Sequence, residues 1–263
     1  MSERDYFIAD THFNHGMIIK YSGRTRFMTP EDLESYEAMR ASGCVRAYQD
    51  WKPSIKSREN MDEAMIENIN AIVPADATLW HLGDFSFTRR VAETQRYRDA
   101  IKCKDVRLVW GNHDRRKAYS PDLFRGYYES TMIYVFNDRT FTEAEIQSDK
   151  QLRKKLRRAM GKRNVQPIML SHYAHATWMG SYKGWFQLYG HSHGGLQKFM
   201  DEHMPNALSM DIGVDCHDFK PLSFTQIVDI LGRKRQERPK HVIDHHGVWT
   251  FPPNRVVKDD LAQ

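Results

Sequence analysis

Cysteine is scarce in this chain. Only Cys44, Cys103 and Cys216 occur in 263 residues, far apart and without a C-x-x-C pair. That spacing argues against a disulfide framework and a thiolate zinc site, and it suits a reducing, cytoplasmic compartment. Long apolar runs are missing too. Nothing approaches the ~20 consecutive apolar residues of a membrane helix. The run Tyr6–Ala9 lacks the length and the small-residue cleavage site of a secretory signal. No membrane partner is expected. There is no internal repeat, no heptad tract and no motif that reads bases. Excess charge of one sign is slight: 39 basic and 34 acidic residues leave +5, which permits an anionic partner without requiring one.

Histidine, by contrast, is plentiful. Thirteen stand beside many aspartates, which points to metal chemistry if the spacings agree. The apolar share of 40% is that of an ordinary globular chain of one large domain or two small ones. Tyr6–Ala9 reads as a buried strand ending at Asp10. Asn60 can cap a helix whose Met65, Ile66, Ile69, Ile72 and Val73 line one face before Pro74 stops it. Thr78–Leu82 and Val106–Trp110 read as strands flanking a helix over 89–102. Strands at Pro167–Ser171, Trp185–Tyr189 and Leu208–Val214 follow, then a helix over Ser223–Leu231. The order predicts an α/β layered domain over 1–232, partly parallel in its first half and more antiparallel in its second. Residues 22–58 read as a polar surface insertion. Residues 142–163 read as a basic helical insertion: Thr142 and Glu145 form a capping box for one helix over about 143–160. Residues 233–263 read as a polar tail.

The motifs that carry chemistry close the predicted strands. They are Asp10-Thr11-His12, Gly83-Asp84, Gly111-Asn112-His113-Asp114, Ser171-His172 and Gly190-His191-Ser192-His193-Gly194. Ligands of open α/β sheets gather outside the carboxyl ends of strands, so five such endings can converge. Residues two apart on a strand share a face, which lets Asp10 and His12, or His191 and His193, reach one ion together. Alone, a D-x-H tripeptide is commonplace and a histidine pair is usually solvated. Five accidents at five strand ends, in order, are improbable. The bland reading keeps other histidines. His81 reads as packed within its strand, and His203, His217, His241, His245 and His246 as surface. His15 stands between pocket lining and packing, as do His175 and Trp178.

In identity and order the five motifs resemble those of the calcineurin-like metallophosphoesterase family: D-x-H, G-D, G-N-H-D/E, H and G-H-x-H. With the flanking strands, the likeness runs to about residue 231. Gly83–Phe87, Ser171-His172-Tyr173 and Val214-Asp215 further resemble small stand-alone phage and prophage members. The resemblance implies a four-layer α/β/β/α sandwich with mixed sheets, holding two divalent metal ions. Asp10, His12 and His193 would bind one, Asn112, His172 and His191 the other, and Asp84 would bridge them. The mixed donor set suits Mn²⁺, Fe, Zn²⁺ or Ni²⁺ better than Mg²⁺ or Ca²⁺, and the resemblance makes Mn²⁺ the expected ion. A metal-held hydroxide would attack phosphorus in line. His113 would serve the leaving oxygen, and Asp114 would orient its ring. Phe87, where protein phosphatases of the family carry an acidic residue, and the final Asp114 argue against protein substrates. The expected activity is a phosphodiesterase acting on nucleotides or nucleic-acid ends. The alternatives are a small-molecule phosphomonoesterase and a non-catalytic nucleic-acid-binding protein on the same fold.

Overall fold

A computed structural model describes residues 4–137, 139–236, 241–244 and 247–250. Its strands are β1 (Asp5–Ile8), β2 (Thr78–His81), β3 (Asp105–Val109), β4 (Gly126–Tyr128), β5 (Ser130–Phe136), β6 (Thr140–Thr142), β7 (Val165–Ser171), β8 (Phe186–Tyr189), β9 (Ser209–Asp211), β10 (Leu222–Ser223), β11 (His241–Asp244) and β12 (Gly247–Thr250). The helices are α1 (Ile18–Tyr21), α2 (Pro30–Ser42), α3 (Val45–Asp50), α4 (Ile55–Ile72), α5 (Val91–Ala100), α6 (Glu143–Ser148), α7 (Lys150–Lys162), α8 (Gln197–His203) and α9 (Phe224–Gln236).

Two mixed five-stranded sheets organise the α/β fold. The first has the order β10-β1-β2-β3-β4, parallel throughout except for β10. The second has the order β6-β5-β7-β8-β9. There β5 runs antiparallel to both neighbours, while β7, β8 and β9 are parallel, so the second half is the more antiparallel of the two, as the sequence suggests. Alternate residues of β1 serve two cores, as strand geometry dictates. Phe7 packs with Trp80 and Val109 against Ile133, Ile168 and Leu188 of the second sheet. Tyr6 and Ile8 face Met61, Met65 and Ile69 of α4. On the far side of the second sheet, Met132, Tyr134 and Phe136 lie under Leu152 and Leu156 of α7. Helices therefore cover both sheets.

Several elements differ from expectation. Ser54, not Asn60, caps α4, its hydroxyl accepting the Ser57 N–H at 3.2 Å, while Asn60 donates to the Phe27 carbonyl. The stretch 22–58 is not merely surface. It contains α2 and α3 and buries Phe27, Met28, Tyr36 and Met39 in the α4 core; its polarity reflects only the wet side of these helices. The capping box of Thr142 and Glu145 forms, but the helix it starts stops at Ser148. Asp149 then caps a second helix, accepting the N–H groups of Gln151 at 2.6 Å and Leu152 at 3.2 Å. In the expected tail, α9 runs on to Gln236 and β11 pairs with β12. Its remainder, including His245 and His246, lies outside the described residues. Among the described residues no helix is long and apolar enough to cross a membrane.

Candidate metal centre

The five motif loops converge, but not along strand faces. Asp10, His12, Asp84, His191 and His193 all have left-handed backbones, with φ of 60°, 53°, 54°, 68° and 47°. Such conformations cost roughly 1–3 kcal/mol each for residues with a side chain and persist only where the surroundings hold them. Here the loops hold one another. The N–H groups of Asp10, His12 and Phe13 donate to the carbonyls of Gly83, Asp84 and Phe85 at 2.9–3.0 Å. Asp10 and His12 thus meet through coiled backbone rather than through strand alternation. Gly111 permits the closest approach, for a Cβ there would stand 2.2 Å from Asp84 Oδ1.

Two groups of ligand atoms result. Asp10, His12 and His193 form one and Asp84, His172 and His191 the other, with the atoms of each group within 4.8 Å of one another. Asp84 Oδ2 lies 3.5 Å from His12 Nε2 and 3.5 Å from His172 Nε2, so one carboxylate oxygen touches both groups. Asn112 Oδ1 sits 3.0 Å from His172 Nε2. All seven residues read from the motifs are together.

Hydrogen bonds aim the imidazoles. His172 Nδ1–H donates to the Leu82 carbonyl at 2.8 Å, which leaves Nε2 to face the cluster. His193 Nδ1 lies 2.6 Å from Asp215 Oδ2. His12 Nδ1 pairs with His15 Nδ1 at 3.1 Å, while His12 Nε2 is buried with no hydrogen-bond partner. An orphaned buried nitrogen is costly, and a cation in the cluster would satisfy it. Behind His193 stands a residue that no motif announced. Arg24, 1% exposed, grips Asp215 with two N–H groups at 2.8 and 2.7 Å and donates a third hydrogen bond to the Asp10 carbonyl. A lone arginine inside a polar stretch gives no sequence signal of such a role.

His113 joins the cluster at its rim. Its N–H donates to Asp84 Oδ1 at 2.8 Å, and its half-exposed ring lies 5.2 Å from that of His12. Asp114 does not orient that ring. Its carboxylate accepts the N–H groups of Asp84, Phe85, Ser86 and Gly111 and the Tyr119 hydroxyl, so it pins the second and third loops together. Phe87 stacks on His15 with centroids 4.2 Å apart, making an apolar wall where an acidic residue would have stood. His15 therefore belongs to the site. His81 is packed: its Nε2 meets the Thr11 hydroxyl, and burial drives its pKa down to about 3. Trp178 is buried, its indole N–H donating to the Trp185 carbonyl. His217, expected at the surface, bonds the Asp211 carbonyl.

Burial dominates the electrostatics. It pushes the Asp10 carboxyl up to about 7 and His12 well below its ordinary range. For Asp84, burial acts upward, but His172 and the His113 N–H outweigh it and hold the carboxyl below its usual value. Burial likewise opposes the charge on His172, yet Asp84 and Asp10 raise it to about 9. His193 is raised by Asp215 and Asp10 against the same penalty. A proton on His172 therefore offsets the buried carboxylates, and divalent cations could take its place.

No family model matches the chain. It is 22% identical over 236 residues to an uncharacterized protein, MJ1445, of Methanocaldococcus jannaschii, covering 89% of this chain and 94% of that one. Its fold is similar to the crystal structure of AQ665, a protein of unknown function from Aquifex aeolicus. That likeness has a TM-score of 0.51 and 19% identity, and it covers 86% of this chain and 98% of that one.

Proposed function

We propose that the chain is a two-metal-dependent phosphoester hydrolase, a phosphodiesterase acting on nucleotides or nucleic-acid ends. The observation that carries this reading is Asp84 Oδ2, 3.5 Å from a histidine nitrogen of each ligand group. Asp10, His12 and His193 would hold one ion, Asn112, His172 and His191 the other, and Asp84 both. The unpartnered His12 Nε2 and the mixed carboxylate, imidazole and amide donors fit Mn²⁺, Fe, Zn²⁺ or Ni²⁺, and the resemblance favours Mn²⁺. Two such ions supply Lewis acidity, which brings the pKa of a water towards neutrality and offsets the charge of phosphate oxygens. The facing sheets with helices on both outer sides fit the four-layer α/β/β/α sandwich that the sequence resemblance implies.

The remaining work falls to this chain's own side chains. His113, tied through its backbone to Asp84, holds an imidazole where it can donate a proton to the leaving oxygen. Phe87 and His15 flank that ring, each with its centroid 5.5 Å away. Tyr173, 49% exposed, lies with its ring 4.6 Å from that of His191 and offers a face on which a nucleobase can stack. That face favours a nucleotide-type ester over a small polar monoester.

The test is hydrolysis of bis(p-nitrophenyl) phosphate beside p-nitrophenyl phosphate by metal-depleted and Mn²⁺-loaded protein. The expected result is activity only with metal, greater on the diester. Asp84→Asn is expected to abolish it, since it weakens both ions at once. Full activity of protein shown to hold no metal would overturn the reading, and a loaded protein inert on both esters would leave a binding protein.

A further inference from the structure

Eight cations stand between Lys150 and Arg163 with no acidic residue among them. Removing them from a net charge of +5 would leave −3, so this one segment makes the chain basic. Leu152, Leu156 and Ala159 turn the inner side of α7 onto the second sheet. Lys154, Arg157, Arg158 and Lys162 are exposed, and among the described residues no carboxylate pairs with them. Lys154, Arg158 and Lys162 are spaced four apart, a line of charges with steps of about 6 Å. With Phe136, Asn137 and Asn164 they border a groove of about 460 Å³ between α7 and the end of β5.

The groove is remote from the metal centre. On β5, Ser130 pairs with Ser171, the neighbour of His172, whereas Phe136 pairs with Val165 at the other end. Six residues of strand separate the two ends by about 20 Å.

We infer that this groove is a docking track for the phosphate backbone of a nucleic-acid strand. A membrane surface fits poorly, because an interfacial helix must bury its apolar face in lipid, and that of α7 is already packed on the sheet. An acidic protein fits poorly as well. Protein interfaces are anchored by buried apolar or aromatic side chains, and Phe136, the aromatic in the groove, is only 4% exposed. Lysine, arginine and amide donors around a concave surface match phosphate oxygens, and the absence of a base-reading motif makes the contact independent of sequence. The inference does not rest on the hydrolase reading.

The test is binding of a labelled single-stranded oligonucleotide, with chelator present so that nothing is cut, across a salt series. The triple variant Lys154→Gln/Arg158→Gln/Lys162→Gln is expected to bind at least about tenfold more weakly at low salt. Its slope of log affinity against log salt is expected to be flatter by about 2, roughly 0.7 for each lost phosphate contact. A charge-matched control, Lys52→Gln/Lys102→Gln/Lys104→Gln, is expected to bind like the parent. Melting curves check that both variants fold. Hydrolysis of bis(p-nitrophenyl) phosphate, read separately with Mn²⁺, is expected to be unchanged by the groove variant. If that assay fails in every protein, the hydrolase reading falls while the binding result stands. Unchanged affinity and slope in the folded groove variant would make α7 a solvated face. An equal loss in the control would reduce the effect to net charge. Binding to anionic phospholipid vesicles but not to the oligonucleotide would replace the nucleic acid with a membrane. Any of these overturns the inference.

Discussion

The two ends of the second sheet carry charge in opposite ways. At the candidate metal centre the charges are buried, few and held in fixed positions by hydrogen bonds, and five of the candidate ligands sit on left-handed backbone. At α7 they are numerous and exposed on a regular helix whose only cost is mutual repulsion. The first arrangement is expensive to fold, and on the proposed reading bound cations would offset that cost. The second is cheap to fold and works through long-range attraction that salt screens. Buried placement suits chemistry at one atom, and exposed placement suits holding an extended partner.

The sharpest way to break the comparison is at the rim of the metal centre. His113→Ala is expected to lower turnover of bis(p-nitrophenyl) phosphate by about 10²–10⁴-fold while the metal content stays that of the parent. Elemental analysis beside kinetics checks both parts. Loss of metal from this variant would make His113 a structural support of Asp84 instead.

Removing the cations should expose the cost of the buried charges through pH. In the metal-free protein His172 is raised to about 9 from an ordinary 6.5. A raised histidine stabilises the fold fully below its unfolded pKa, and that contribution is lost as pH rises through the folded pKa. The metal-free protein is therefore expected to lose stability between pH 6.5 and 9, by an amount on the order of 3 kcal/mol at most. Below that window Asp10, raised, and His12, lowered, act in opposite directions and blur the trend. Metal-loaded protein is expected to lack this loss, and metal binding at pH 7 is expected to release protons, measurable as a buffer-dependent heat. Stability independent of pH in both forms would sink the account.

A smaller effect tests the support behind His193. Asp215→Asn keeps the side chain's size but removes the charge that Arg24 and His193 share. Outer partners of metal ligands are typically worth 10–100-fold in affinity. A Mn²⁺ titration is expected to show a loss of about that size in this variant, and an unchanged titration would make the Arg24–Asp215 pair purely structural.

What could be read from the sequence follows from how local its cause is. The seven candidate ligands were legible as a group because each closes a strand in a short motif. Their backbone was not, since left-handed Asp10 and His12 depend on hydrogen bonds to Gly83 and Asp84, far along the chain. Arg24 was invisible for the same reason, its partners being Asp215 and the Asp10 carbonyl. Asp114 was assigned to the wrong partner because proximity in sequence suggested His113, whereas its five donors come mostly from the neighbouring loop. Strand β5, Ser130–Phe136, has the β-branched and aromatic character of a strand, but neither it nor the short β4, β6 and β10 is signalled by a metal-site motif. Short strands are recognised by their pairing more than by their composition.

The smallest effect sharpens the contrast most, because it asks whether the two ends are independent. Asp149 breaks what the apolar spacing presents as one helix, and its carboxylate caps α7 through the N–H groups of Gln151 and Leu152. Removing an N-cap costs about 1 kcal/mol. In Asp149→Ala the first turn of α7 loses that cap, so the loss is local to the basic helix. Hydrogen exchange is expected to speed up at the N-terminal amides of α7 and to stay unchanged around Asp10 and Asp84. Oligonucleotide binding is expected to weaken slightly, and turnover of bis(p-nitrophenyl) phosphate to hold. The metal loops are fixed by bonds to one another and by Asp114, none of which involves α7. A drop in turnover matching the drop in binding would show that the two ends are coupled through β5 and β7, and the division of labour between buried and exposed charge would then have to be abandoned.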